Sequence, residues 1–179
     1  MNTKFFSLIV LTFAFLLCSG AAGQENAVSE PEYIGVIDYL NSSGRLRPLD
    51  REVPRSKASL KALGFGGAKL TVELDGAKAA LRIPPEQAMS FVVQLPNGVD
   101  PRRIQLYSFT VRGNKRELAI TTREIRREGR GIVPIKLNIS RYGQSSYKMV
   151  PFISLSVGEY GFKADDSSDI FCFGVEAKQ

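Results

Sequence analysis

Two groups of cations are the chemically most loaded stretches of the chain. Arg112, Lys115 and Arg116 flank a Gly113-Asn114 pair, and Arg126, Arg127 and Arg130 follow shortly after. Guanidinium and ammonium groups bind carboxylate, sulfate and phosphate oxygens through charge-assisted hydrogen bonds. These six residues are therefore the candidate ligand-binding set, and the ligand class they suit is anionic: a polysaccharide, a lipid head group or a phosphate. A third cluster, Arg45, Arg47, Arg51, Arg55, Lys57 and Lys61, adds to the same field. Charges on exposed strand faces also serve solubility and block edge-to-edge pairing, so the same residues admit a plain structural reading.

Other chemistry is thinner. The chain has no histidine and no tryptophan. That excludes Ser-His and Cys-His nucleophile pairs, imidazole bases and histidine-ligated metals. Asp165, Asp166 and Asp169 with Ser167 and Ser168 offer oxygen atoms to a cation, but without the calcium-loop pattern that ends in a bidentate glutamate. Asp38, Asp50, Glu73, Glu117 and Glu159 could pair as a glycosidase dyad only if the fold set two of them at the required separation. Gly64-Phe65-Gly66-Gly67-Ala68-Lys69 is glycine-rich, yet it lacks G-K-[ST] and leads into a strand, which reads as a bulge or bend and not a phosphate loop. Cys172, between Phe171 and Phe173, reads as a small buried hydrophobe. No cofactor and no metal are expected.

The elements that position these residues alternate with period two. Leu70, Val72 and Leu74 share one face of a strand, Asp75-Gly76 follows, and Ala79, Leu81 and Ile83 alternate back, which predicts a hairpin over 69–83. Ser90–Leu95 is a strand closed by Pro96-Asn97-Gly98. Ile104–Arg112 and Lys115–Arg123 form a second hairpin around Gly113-Asn114, with Arg112, Lys115 and Arg116 crowding its tip and Arg126, Arg127 and Arg130 beyond its far end. Residues 133–139 alternate with Pro134 among them, which predicts an edge strand. Ser56–Leu63 suits a strand or a helical turn and is assigned to a strand. Gly158–Phe162 is a short strand, and Ile170–Val175, apolar on both faces, belongs in the middle of a sheet. Turn signals every eight to twelve residues predict one all-β domain, residues 32–179, built as a two-sheet antiparallel β-sandwich; a partly open β-barrel is the alternative.

Residues 1–23 carry one cation, Lys4, then an apolar run from Phe5 to Cys18, then small residues, and read as a secretory signal peptide cleaved before Gln24. The apolar run is too short for a membrane span of about 20 residues. Cys18 is the alternative anchor for lipid, although Phe15-Leu16-Leu17 lacks the small residue that usually precedes such a cysteine. Residues 24–31 form a polar lead-in. After cleavage one cysteine is left, so core burial alone must hold the domain.

The segments Leu63–Lys69 (LGFGGAK), Gly158-Glu159-Tyr160 and Phe171–Glu176 (FCFGVE) resemble uncharacterised exported bacterial β-sandwich domains. That resemblance implies the fold and carries no activity. The tyrosine of the G-E-Y segment has its own physical reading, a corner residue whose hydroxyl bonds backbone. The function these observations predict is an exported, non-catalytic interaction or structural module of the periplasm or cell surface, with an anionic-ligand binder as the alternative and a small carboxylate hydrolase as a third class. An unknown protein or an anionic surface is the expected partner; nucleic acid is not, since the basic residues lack interleaved aromatics.

Overall fold

The computed structural model describes residues 29–59, 69–86, 88–121, 133–164 and 167–177. Among these, thirteen strands follow in order: β1 (Ile37–Leu40), β2 (Leu46–Pro48), β3 (Asp50–Glu52), β4 (Arg55–Ser59), β5 (Lys69–Asp75), β6 (Arg82–Ile83), β7 (Ser90–Gln94), β8 (Ile104–Arg112), β9 (Lys115–Thr121), β10 (Leu137–Tyr142), β11 (Ser146–Pro151), β12 (Gly158–Ala164) and β13 (Ile170–Val175). They make two sheets. The five-stranded sheet runs β10-β11-β7-β1-β2; the eight-stranded sheet runs β3-β13-β12-β8-β9-β5-β4, with β6 beside β13.

The all-β reading holds, and the sandwich and barrel readings meet in one architecture. Ile37, Tyr39, Phe91, Val93 and Met149 of the first sheet pack on Leu106, Tyr160, Phe162, Phe173 and Val175 of the second. Phe91 sits at the centre, its ring 4.8 Å from both Phe162 and Phe173 and 5.9 Å from Tyr39. Both flanks are stitched. Leu49 carries the chain from β2 in one sheet to β3 in the other and donates its N–H to Ile37 O at 2.9 Å. On the opposite flank Ile135 N–H bonds Leu106 O at 2.7 Å just before the chain enters β10. The sandwich is thereby a flattened, partly closed barrel.

The second hairpin opens like a fork. Its Gly113 turn forms, with φ of 58°, but only Thr110, Val111 and Arg112 pair with β9. Residues 104–109 of β8 pair with β12 instead, while β9 pairs along its length with β5, and β5 with β4. The β9-β5-β4 layer curls over the outer face of the large sheet and buries a second, smaller core of Leu74, Ala79, Phe109, Leu118, Ile170 and Cys172. A strand can change partners midway because each residue needs only one neighbour on each side, and twist carries β9 away from β8.

The expected hairpin over 69–83 does not form. Asp75-Gly76 turns the chain, with Gly76 at φ 82°, but β5 pairs with β4 and β9. Arg82–Ile83 runs parallel to Gly174–Val175. Ala79, Leu81 and Ile83 are all buried, so their alternation records which side faces the core; it does not record which strand lies alongside. The 133–139 strand begins only at Leu137, and β10 is a sheet edge as Pro134 implies. β13 is central, flanked by β12 on one side and by β3 and β6 on the other. Residues 55–59 are a strand; 60–68, the glycine cluster included, lie outside the described residues, as do 1–28. No described helix is long and apolar enough to cross a membrane.

Candidate functional site

Alternation along β9 sends Arg116 inward with Leu118, so it does not join Arg112 and Lys115 at an exposed tip. Arg116 is 2% exposed. Its Nη2 donates to Glu52 Oε2 at 2.6 Å and Asp75 O at 2.9 Å, and its Nε to Gly76 O at 3.0 Å. Lys115 Nζ lies 2.9 Å from Glu73 Oε2, and Arg112 Nε 3.5 Å from Glu117 Oε2. Each of the three cations thus has its own carboxylate, and Arg112, with its side chain 67% exposed, is the one most open to a ligand. Arg126, Arg127 and Arg130 lie outside the described residues.

The carboxylates are spent in the same way. Glu73 and Glu117 are direct cross-strand neighbours, but each is bridged to its own cation. Asp50 Oδ2 accepts the Leu81 N–H at 2.7 Å. Asp38 is buried away from these, and burial raises its pKa. In the acidic loop Asp169 takes the Arg51 guanidinium, with Nε at 2.6 Å, while Asp165 and Asp166 lie outside the described residues.

The G-E-Y segment has a purpose that the sequence only half shows. Tyr160 donates its hydroxyl to Ser156 O at 2.9 Å, the expected corner bond. Glu159, buried, accepts Arg82 Nη1 at 2.5 Å and the Ala79 N–H at 2.9 Å. Gly174 lies opposite Glu159 on β13 and opposite Arg82 on β6, so the guanidinium crosses over a residue without a side chain; a β-carbon there would overlap it. Arg82 also donates to Glu176, which Lys78 holds from the other side. Cys172 is fully buried, and burial pushes its thiol pKa up, which suits an inert role.

The concavity suited to a ligand is elsewhere. Where β1 and β8 begin and β7 and β12 end, the sheets part around a cavity of about 350 Å³. Its walls are Val36, Ile37, Leu95, Val99, Ile104 and Phe171, and Arg51, Arg103, Asp100 and Asp169 are also among its lining residues. Asp100 accepts the Arg102 N–H at 2.9 Å, and that bond leads the causes holding its carboxyl below the usual range. The walls can take an apolar group, and the paired charges can meet a polar end. Sequence reasoning missed this site because its residues come from five strand ends. The one local signal was the pair Leu95 and Val99, apolar residues bracketing a Pro-Asn-Gly turn. No protein family, curated protein or solved structure matches the chain.

Proposed function

We propose that the chain is an exported, non-catalytic interaction module, periplasmic, surface-bound or secreted, that takes an apolar or amphipathic group of its partner into the cavity between the sheet ends. The cavity carries this reading: about 350 Å³ with apolar walls falls within the range of about 300–1,000 Å³ typical of ligand sites. The pairing of Glu52, Glu73, Glu117, Glu159 and Asp169 with cations supports a structural use of these acids over a catalytic one. Export rests on Lys4 and the apolar run that follows it.

The test is a titration with anilinonaphthalene sulfonate, an apolar fluorophore carrying one anionic group. Saturable binding to a single site is the expected result, together with its loss on filling the cavity by Val99→Phe. Binding that Val99→Phe leaves unchanged overturns the site, and hydrolase turnover abolished by a single Asp or Glu substitution overturns the non-catalytic reading.

A further inference from the structure

We propose that the outer face of the five-stranded sheet carries a second site, separate from the cavity between the sheet ends, which binds a primary ammonium group on a short aliphatic chain, with Asp38 as its counter-ion. Ile37 and Tyr39 belong to the main core, so alternation along β1 turns Asp38 to the other face of the sheet. An acid on such a face ordinarily stands in water, yet Asp38 is 6% exposed. The residues before β1 lie over this face. Glu30 accepts Ser146 Oγ at 2.5 Å and the Gln144 N–H at 2.6 Å, Pro31 is buried, and Ile34 bridges to Gln94 of β7. Between them and β2 lies a cavity of about 210 Å³, with Pro31, Leu46 and Pro48 among its walls.

In a chain of net charge +6, this cavity is negative: Glu30, Glu32 and Asp38 line it, and among the described residues no lysine or arginine does. Two of the acids are engaged. Glu30 holds the turn after β10, and Glu32 takes the Tyr33 hydroxyl, which raises the phenol pKa. Asp38 is not engaged: among the described residues no donor or cation meets its carboxylate, and burial is the cause that raises its pKa. Lys148 shares the face but stands on β11, beyond Val92, and takes no part in that shift. The Asp38 oxygens still reach the cavity, because among the described residues Arg116 Nη1 is the sealed side-chain nitrogen or oxygen without a partner. A carboxylate held out of water without a partner is costly, and a cation that pairs with it recovers that cost. The walls select the kind of cation. A metal ion needs several ligands, and among the described residues no three acidic or cysteine side chains are grouped to hold one. An ammonium needs one carboxylate, and its methylene stem gains from apolar contact. Pro31, Leu46 and Pro48 supply that contact, and the exposed ring of Tyr33 offers its face to the charge. A free amine and the lysine side chain of a partner share this chemistry.

The test follows backbone amide NMR shifts of the protein during titration with n-butylammonium chloride. Tyr33, Asp38 and Leu46 should shift saturably, while Val99, which lines the cavity between the sheet ends, should stay in place. Butanol, which has the same stem without the charge, and sodium chloride at equal concentration should shift none of them. Asp38→Asn should weaken binding about tenfold or more. The peptide Gly-Gly-Lys-Gly-Gly, capped at both ends, separates the two sources: binding tighter than that of butylammonium assigns the site to a partner's lysine, and weaker binding assigns it to a free amine. The proposal fails if butanol or sodium chloride produces the same shifts, if butylammonium produces none, or if Asp38→Asn binds as tightly as the wild type. Should Asp38→Asn not fold, the contrast between butylammonium and butanol on the wild type decides the matter alone.

Discussion

On its inner face β13 turns Phe171, Phe173 and Val175 toward the opposite sheet; on its outer face Ile170 and Cys172 meet the curled β9-β5 layer, and Gly174 lies under Arg82. The inner core is wide enough for aromatic rings to pack on one another, and among its members only the tyrosines carry side-chain hydroxyls. The outer core holds six buried side chains, and guanidinium groups finish it: Arg82 crosses Gly174 to reach Glu159, and Arg116 plugs the gap between Glu52 and the β5 turn. The β8–β9 ladder and the Arg116–Glu52 ion pair both tie this layer to the rest of the large sheet. Buried ion pairs are poor sources of net stability but strict about geometry.

The largest effect should come from the inner face. Phe91→Ala, which removes the ring shared by Tyr39, Phe162 and Phe173, should cost about 3–5 kcal/mol in urea denaturation. A loss below about 1 kcal/mol would mean that the sheets do not share this core. On the outer face, Arg116→Ala strands Glu52 and should cost about 3 kcal/mol; Arg116→Met strands it too but keeps most of the packing, and should cost somewhat less. The sharper reading is kinetic. Cys172, buried beneath this layer, should alkylate faster in Arg116→Met than in the wild type even where global stability is equal. Equal rates would show that Arg116 does not hold the layer down.

Gly174→Ala should cost about 1–3 kcal/mol, because the methyl group displaces the Arg82 guanidinium. In an Arg82→Ala background the same change should cost much less; full additivity in the double-mutant cycle would break the account of the crossing. The smallest effect lies outside both cores. Glu30 accepts Ser146 Oγ at 2.5 Å and the Gln144 N–H at 2.6 Å, bonds that lower its pKa from 4.5 to about 2. A carboxyl held low in the folded state adds stability that is present above its ordinary value and is lost as pH falls toward the folded one. Wild type should therefore lose stability between about pH 4.5 and 2 by more than Glu30→Gln does; parallel curves would remove Glu30 from the account.

Much of this was legible in the sequence. Period two revealed the strands from Lys69 to Thr121 and those near the end of the chain, with the central place of Ile170–Val175, and turn residues marked Gly113-Asn114, Pro96-Asn97-Gly98 and the edge place of the strand after Pro134; β1, β2, β3 and β11 were not singled out. Pairing was less legible. Ala79, Leu81 and Ile83 alternate as a hairpin arm would, but they run along β13, because alternation encodes burial and not partnership. Arg116 looked like a surface cation because sequence alone cannot say which face of β9 a curled layer covers. The cavity was invisible for the same reason: Val36, Leu95, Ile104 and Phe171 meet only when five strand ends do.

The position of β13 constrains the timing of folding. It is the latest strand in the chain, yet it is the partner of β3, β6 and β12, and it supplies a wall to each core. A chain delivered N-terminus first has no surface on which β3 or β6 can settle until Ile170–Val175 arrives, some 120 residues after β3. Contacts so distant in sequence form late and slowly. The last strand to arrive thus supplies the missing neighbour of β3 and of β6 and a wall of both cores at once.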